Sequence, residues 1–168
     1  MSEADVEDAA LRGAARAGRP AKALRMLEEA CIGGAWQPLA IERVTVVKHR
    51  PGSRMVLRYE VTGQRPGEPA RPAAVFAKLY RSHKGMRVAG KLRALRELSG
   101  GAVRVPEVLG YAARWRLLVL EALEGPGLAD VLRTATARRS IELLAAGLAA
   151  LHAVEPPATP ATTEQAGG

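Results

Sequence analysis

Val75-Phe76-Ala77-Lys78-Leu79-Tyr80 is a β-branched and aromatic run with one long cation in its middle. Its composition predicts a strand. The cation breaks the apolar pattern of a buried strand, and an ammonium left unpaired inside a core is costly. Lys78 therefore needs an anion. Between it and Glu107 the only carboxylate is Glu97, in the helix-forming stretch from Lys84 to Ser99. A strand lysine, a following helix with a lone glutamate and a later strand ending in Glu121-Ala122-Leu123 set the order around which the rest of the chain is read.

Upstream, Ile41 to His49 is β-rich, with Val44, Val46 and Val47, and Met55 to Val61 alternates so that Met55, Leu57, Tyr59 and Val61 share a face. The turn signal Arg50-Pro51-Gly52-Ser53 between them predicts a hairpin. Thr62 to Pro72 reads as a Gly/Pro-rich loop. Downstream, the 84–99 helix carries Val88, Leu92 and Leu95 on one side and Lys84, Arg87, Lys91, Arg93 and Arg96 on the other. Val103 to Glu107 is extended around Pro106, and Val108 to Tyr111 and Leu117 to Glu121 read as strands flanking a turn. The order strand–strand–strand–helix–strand–strand lacks the βαβ alternation of a Rossmann sheet, and no G-x-G-x-x-G follows a strand. It predicts an α+β fold: a five-stranded antiparallel sheet with one packed helix.

Two short helices precede the sheet, Val6 to Ala17 and Ala21 to Cys31, the second with Pro20 in its first turn and Gly33-Gly34 at its end. Trp36 and Leu39 lead the chain into the sheet. Gly125-Pro126-Gly127 interrupts the pattern, and helices over Leu128 to Arg133 and Ser140 to Val154 follow. From Pro156 the composition predicts disorder. The domain plan is 1–35, an N-terminal helical extension; 36–124, the sheet and its helix; 125–155, further helices; and 156–168, a tail.

Bulk properties narrow the function. The 168 residues, 48% hydrophobic and 25% charged, suffice for one domain with a real core. One cysteine, Cys31, excludes an internal disulfide and fits a reducing compartment. The acidic start Met1-Ser2-Glu3-Ala4-Asp5 has no apolar signal region, and no apolar run is long enough for a membrane span. Both point to a cytoplasmic protein. The net charge of +8 comes mostly from arginines spread between Arg12 and Arg139 rather than from one tract, which argues against nucleic acid as the partner. His49, His83 and His152 lie far apart with no Cys/His spacing around them, so no metal cluster is expected.

Five stretches in order carry a resemblance. Val46 to Val61 is similar to the first hairpin of the aminoglycoside phosphotransferase and choline-kinase-related family, within the protein-kinase-like fold. Val75 to Tyr80 resembles its third strand, Val105-Pro106-Glu107-Val108-Leu109-Gly110-Tyr111 the start of its fourth, Leu118 to Gly125 its linker, and Leu148-Ala149-Ala150-Leu151-His152 a helix ending in Leu-His. The resemblance covers about residues 36 to 155. It implies a kinase-like small lobe in 36–124, followed by two helices that begin a larger lobe. It implies a nucleotide, ATP or GTP with Mg²⁺, bound by Lys78 and held in place by Glu97. The turn at Gly52 and Ser53 would cover the phosphates, with Arg54 adding a contact. The backbone of Glu121 and Leu123 would meet the base, and Phe76 and Leu118 would wall the pocket.

The same resemblance exposes what these residues lack. The family places an aspartate that accepts the substrate proton, and its metal ligands, after the Leu-His helix. This sequence has no asparagine, and its only aspartates are Asp5, Asp8 and Asp130. The expectation is the nucleotide-binding portion of a small-molecule phosphotransferase, γ-phosphate to a hydroxyl acceptor, inactive by itself and truncated before its catalytic loop. The apolar helix around Ile141 to Leu151 would then expose a face suited to self-association. Two alternatives compete: a non-catalytic kinase-like module that binds a nucleotide or a protein, and a basic protein that binds nucleic acid through the 84–99 helix.

Overall fold

The computed structural model describes residues 7–99, 104–125, 128–131, 133 and 137–152. The expected disorder of 156–168 lies outside them. In chain order the elements are α1 (Ala14–Ala17), α2 (Pro20–Cys31), β1 (Gln37–Arg50), β2 (Arg54–Gln64), β3 (Arg71–Tyr80), α3 (Lys84–Leu98), β4 (Val108–Ala112), β5 (Leu117–Glu121), α4 (Leu128–Val131) and α5 (Ala137–His152). The chain divides into two compact units. Among the described residues, one holds 7–97 and 104–125, and the other holds 98–99, 128–131, 133 and 137–152.

The first unit is built on a five-stranded, wholly antiparallel sheet in the order β1-β2-β3-β5-β4. Strand β2 fixes its two faces. Met55, Leu57, Tyr59 and Val61 are no more than 1% exposed, and the residues between them are half-buried. Val75, Ala77 and Leu79 on β3 and Leu117 and Val119 on β5 continue the buried face. The expected strands all form, and the β2–β3 connection is shorter than expected, because β2 runs to Gln64 and β3 starts at Arg71.

Helices α1 and α2 cover that face. Buried residues of α2 fall at Ala23, Met26, Leu27, Ala30 and Cys31, one stripe at helical spacing, and join Leu11, Ala14 and Ala17 in the main core. The Tyr59 hydroxyl donates to the Ala17 carbonyl at 2.8 Å, and Trp115 Nε1 donates to Glu29 at 2.8 Å. The helix expected over Val6 to Ala17 is only Ala14–Ala17 among the described residues. A turn closed by Leu11 N–H to the Asp8 carbonyl comes first, and Gly13 takes a left-handed φ of 82°. On the opposite face, α3 lays Val88, Ala89 and Leu92 against Phe76, Tyr80, Leu118 and Leu120. The sheet thus carries helices on both faces.

The second unit contains α4 and α5. On α5, Ile141, Leu143, Leu144 and Leu148 are 44–58% exposed, the apolar surface its composition foretells. Among the described residues no helix is long and apolar enough to cross a membrane.

Gly110 marks the closest approach of sheet and helix. A Cβ there would stand 2.0 Å from the Ala30 carbonyl oxygen, a backbone atom that cannot swing aside. Gly110→Ala is expected to cost about 1–3 kcal/mol by overpacking and to lower Tm in calorimetry. Burial pushes the Cys31 thiol up to about 12 from 9.0. The thiolate is the reactive form, so Cys31 in the native protein should resist alkylation at pH 8 and react only on unfolding, as intact mass would show.

Candidate functional site

The α3-side face of the sheet opens into a cleft of about 400 Å³ lined by Val47, Lys48, Arg54, Val56, Phe76, Lys78, Pro106, Leu120, Glu121 and Leu123. Alternation puts Val56, Phe76, Lys78 and Leu120 on this face, because their neighbours fill the core beneath α2. The walls are mostly apolar and the polar groups few, as in a small-molecule site.

Lys78 stands in the cleft between Val56 on β2 and Leu118 on β5. Burial lowers its pKa from 10.5, and the nearby Arg54 guanidinium lowers it further. No ion pair reaches Lys78, Lys48 or Arg54 among the described residues. The one carboxylate of the lining, Glu121, is engaged elsewhere. Its Oε2 accepts the Glu107 N–H at 3.1 Å, and Arg104 and Arg96 lie at 3.4 and 3.9 Å. Three cations therefore line the cleft with no ion pair among the described residues, and the half-buried one, Lys78, favours an anionic ligand.

Glu97 was expected to hold Lys78, and the structure does not bring the two together. Glu97 is exposed. The part of α3 facing the sheet presents Val88, Ala89 and Leu92, so no carboxylate projects toward Lys78. In the last turn Arg96, itself exposed, reaches Glu107 at 3.7 Å and Glu121 at 3.9 Å. Glu97 lies one residue, about 100°, further round the helix.

A β-bulge explains how β1 contributes. Pairing jumps from Val46↔Leu57 to Lys48↔Val56, so Val47 is an extra residue. Val47 and Lys48 consequently both line the cleft, and His49, opposite Met55, falls on the α2 side. There His49 Nε2 meets Asp8 Oδ2 at 2.8 Å. The Gly52 N–H donates to the same oxygen at 2.9 Å, and the Ala10 N–H donates to Asp8 Oδ1 at 3.0 Å. These donors, His49 foremost, hold the Asp8 carboxyl below its usual 3.8.

Gly52 and Ser53 form the turn above the cleft's end. Ser53 N–H bonds the Arg50 carbonyl at 3.0 Å, and Gly52 has φ 69°, the left-handed value that follows Pro51 in a type II turn. The two residues line a separate basic recess of about 480 Å³ with Arg50, Arg54, Arg81 and Lys84. Arg54 faces both spaces. Phe76 walls the cleft as expected. Leu118 is fully buried under α3, and Leu120 takes the wall position.

At the other end of the cleft lie Glu121 and Leu123, where the backbone amides alternate in direction. Glu121 N–H donates to the Glu107 carbonyl at 2.9 Å, and Ala122 N–H turns the opposite way to the Ala74 carbonyl at 3.2 Å. Strand alternation directs the Glu121 carbonyl and the Leu123 N–H to the side away from β3. The Leu123 N–H has no backbone partner among the described residues.

Metal ligands do not gather here. Among the described residues no group of three or more His, Cys, Asp or Glu could hold an ion. Asp130 sits on α4, exposed, 3.7 Å from Arg133.

Comparison with known proteins places this geometry. No curated protein and no solved structure matches the chain. The model of the phosphotransferase enzyme family matches residues 46–167, which include every cleft residue from Val47 to Leu123. The chain belongs to the phosphotransferase enzyme family, with the sheet and helix of a kinase-like small lobe.

Proposed function

We propose that the cleft binds the purine nucleotide, ATP or GTP, that donates phosphate in a phosphotransferase acting on a small-molecule hydroxyl. The observation that carries this reading is Lys78: half-buried, flanked by Arg54 and Lys48, and without a carboxylate. Lys78 and Arg54 would take the phosphates as charge-assisted donors, with the Gly52–Ser53 turn beside them. Val56, Phe76 and Leu120 would sandwich the base. The Glu121 carbonyl and the Leu123 N–H would meet its edge as acceptor and donor.

The fit is to the nucleotide and not to Mg²⁺. The cations and the apolar slot match a phosphorylated aromatic ligand, whereas the described residues bring no set of carboxylates together for the metal. What these residues do is bind and orient the donor. With no asparagine and no aspartate beyond Asp130, they supply no base of the family's kind for the acceptor hydroxyl. The protein with these residues alone is expected to bind nucleotide without transferring phosphate, and the cytoplasm, where nucleotides are abundant, is its natural location.

Titration calorimetry with ATP and GTP tests the reading. Lys78→Met should weaken the preferred nucleotide about 10- to 100-fold, the value of a charge-assisted contact. The same substitution should raise Tm slightly, because it removes a desolvated cation from the free protein. Binding unaffected by Lys78→Met, or a loss matched by loss of fold, would contradict it. A ligand whose affinity falls steeply with salt and ignores the substitution would indicate a nucleic-acid backbone instead.

Affinity should also depend on pH in a definite direction. The Lys78 pKa is depressed in the free protein, and a bound phosphate favours its charged form. Nucleotide binding should therefore weaken as pH rises through the lowered pKa, beginning below 10.5, and Lys78→Met should flatten that limb.

A further inference from the structure

The N-terminal segment reaches the phosphate end of the cleft from behind. Asp8 lies outside residues 46–167, the part that matches the family. Its carboxylate is 7% exposed and spends one oxygen on two groups of the β1–β2 turn region, the His49 ring at 2.8 Å and the Gly52 N–H at 2.9 Å. The Ala10 N–H fixes the other oxygen at 3.0 Å. The turn is also closed by Ser53 N–H to the Arg50 carbonyl at 3.0 Å and by the pairing of Arg50 with Arg54, and Arg81 N–H donates to the Ser53 carbonyl at 3.0 Å.

Lys48, two residues before the turn, and Arg54, directly after it, are two of the three cations of the cleft. The bulge at Val47 sends Lys48 into the cleft and His49 to the opposite face, where Asp8 holds it. Asp8 therefore holds the residue next to Lys48 and a residue of the turn that leads to Arg54. The carboxylate works from the side away from the nucleotide and touches no ligand.

We propose that Asp8 is a positioning residue that latches the β1–β2 turn, through His49 and the Gly52 amide, in the form that presents Lys48 and Arg54 to the phosphates of a bound nucleotide. The proposal rests on the nucleotide reading above. It assigns a functional role to a residue that precedes the family's matched region. It also predicts a selective effect, because a latch on the phosphate end should leave the base end alone.

The test compares ATP or GTP, whichever binds, with its nucleoside on wild-type, Asp8→Ala and Asp8→Asn protein by calorimetry, with hydrogen exchange at the Gly52 amide. Slow exchange at Gly52 in the wild type and fast exchange in Asp8→Ala are expected. The triphosphate should bind Asp8→Ala about 3- to 10-fold more weakly, the value of one or two hydrogen bonds. Asp8→Asn, which keeps an acceptor oxygen, should lie between, and it supplies the reading if Asp8→Ala does not fold. Affinity for the nucleoside should stay unchanged. Equal losses for triphosphate and nucleoside, no loss for either, or rapid Gly52 exchange in the wild type would overturn the latch and leave the nucleotide reading standing. A wild type that binds neither ligand would overturn the nucleotide reading, and the positioning role with it.

Discussion

A lysine ammonium on a central strand, partly removed from water and given no carboxylate, organises this molecule. Burial and the Arg54 guanidinium both disfavour its charge, so the free protein carries an electrostatic cost at Lys78 that an anion would relieve. The rest of the first unit makes that cost tolerable. Leu57, Tyr59, Ala77 and Val119, each at most 1% exposed, lock the sheet from the other face, and α1 and α2 seal them. Stability is concentrated beneath the sheet, which frees the upper face to hold charged groups in an apolar cleft. Such separation of a rigid support from a strained site is common where a ligand must be met by preorganised groups.

The two ends of the cleft differ in chemistry. One end is cationic, made by Lys78, Arg54 and Lys48. The other offers backbone groups of Glu121 and Leu123, aligned because β5 runs straight into the segment beyond it and the Glu121 and Ala122 amides are already spent on opposite neighbours. Apolar side chains lie between. A ligand with a flat hydrogen-bonding ring at one end and phosphates at the other matches all three parts. Arginines around Glu107 and Glu121 neutralise the carboxylates nearest the slot, so those acids do not compete for the cations.

Much of this was legible in the sequence because it rests on short-range patterns. The alternation Met55, Leu57, Tyr59, Val61 set the buried face of β2, and the stripe Ala23, Leu24, Leu27 and Cys31 set most of that of α2, where Leu24 is only partly buried. Lys78 could be picked out because a cation in an apolar strand is a local signal, and Glu121 and Leu123 because the stretch around them resembles the family's linker. What failed to show was geometry across elements. Glu97 is the only acid of α3, so it was the natural partner for Lys78, yet its position round the helix decides the matter, and the sequence does not give the helix's rotation against the sheet. The bulge at Val47 was equally hidden: Val44, Val46 and Val47 read as uninterrupted strand, and only pairing with β2 reveals the extra residue that moves Lys48 to the cleft. In the sequence Asp8 is only an aspartate placed too early for the family's catalytic loop. Its contacts with His49 and Gly52 join residues more than forty positions apart, and no local pattern announces them.

The central claim is that the phosphates of a nucleotide lie against Lys78. A nucleotide acylated on its terminal phosphate, a mixed anhydride, gives its acyl group to the amine of a lysine beside the phosphates and leaves as the free nucleotide, and mass spectrometry of the digested protein locates the amide label. The chain has five lysines, Lys22, Lys48, Lys78, Lys84 and Lys91, which makes the outcome easy to read. The account predicts acylation at Lys78, with Lys48 second, suppressed by an excess of unmodified nucleotide. Labelling shared among Lys22, Lys84 and Lys91 and indifferent to that excess would contradict it.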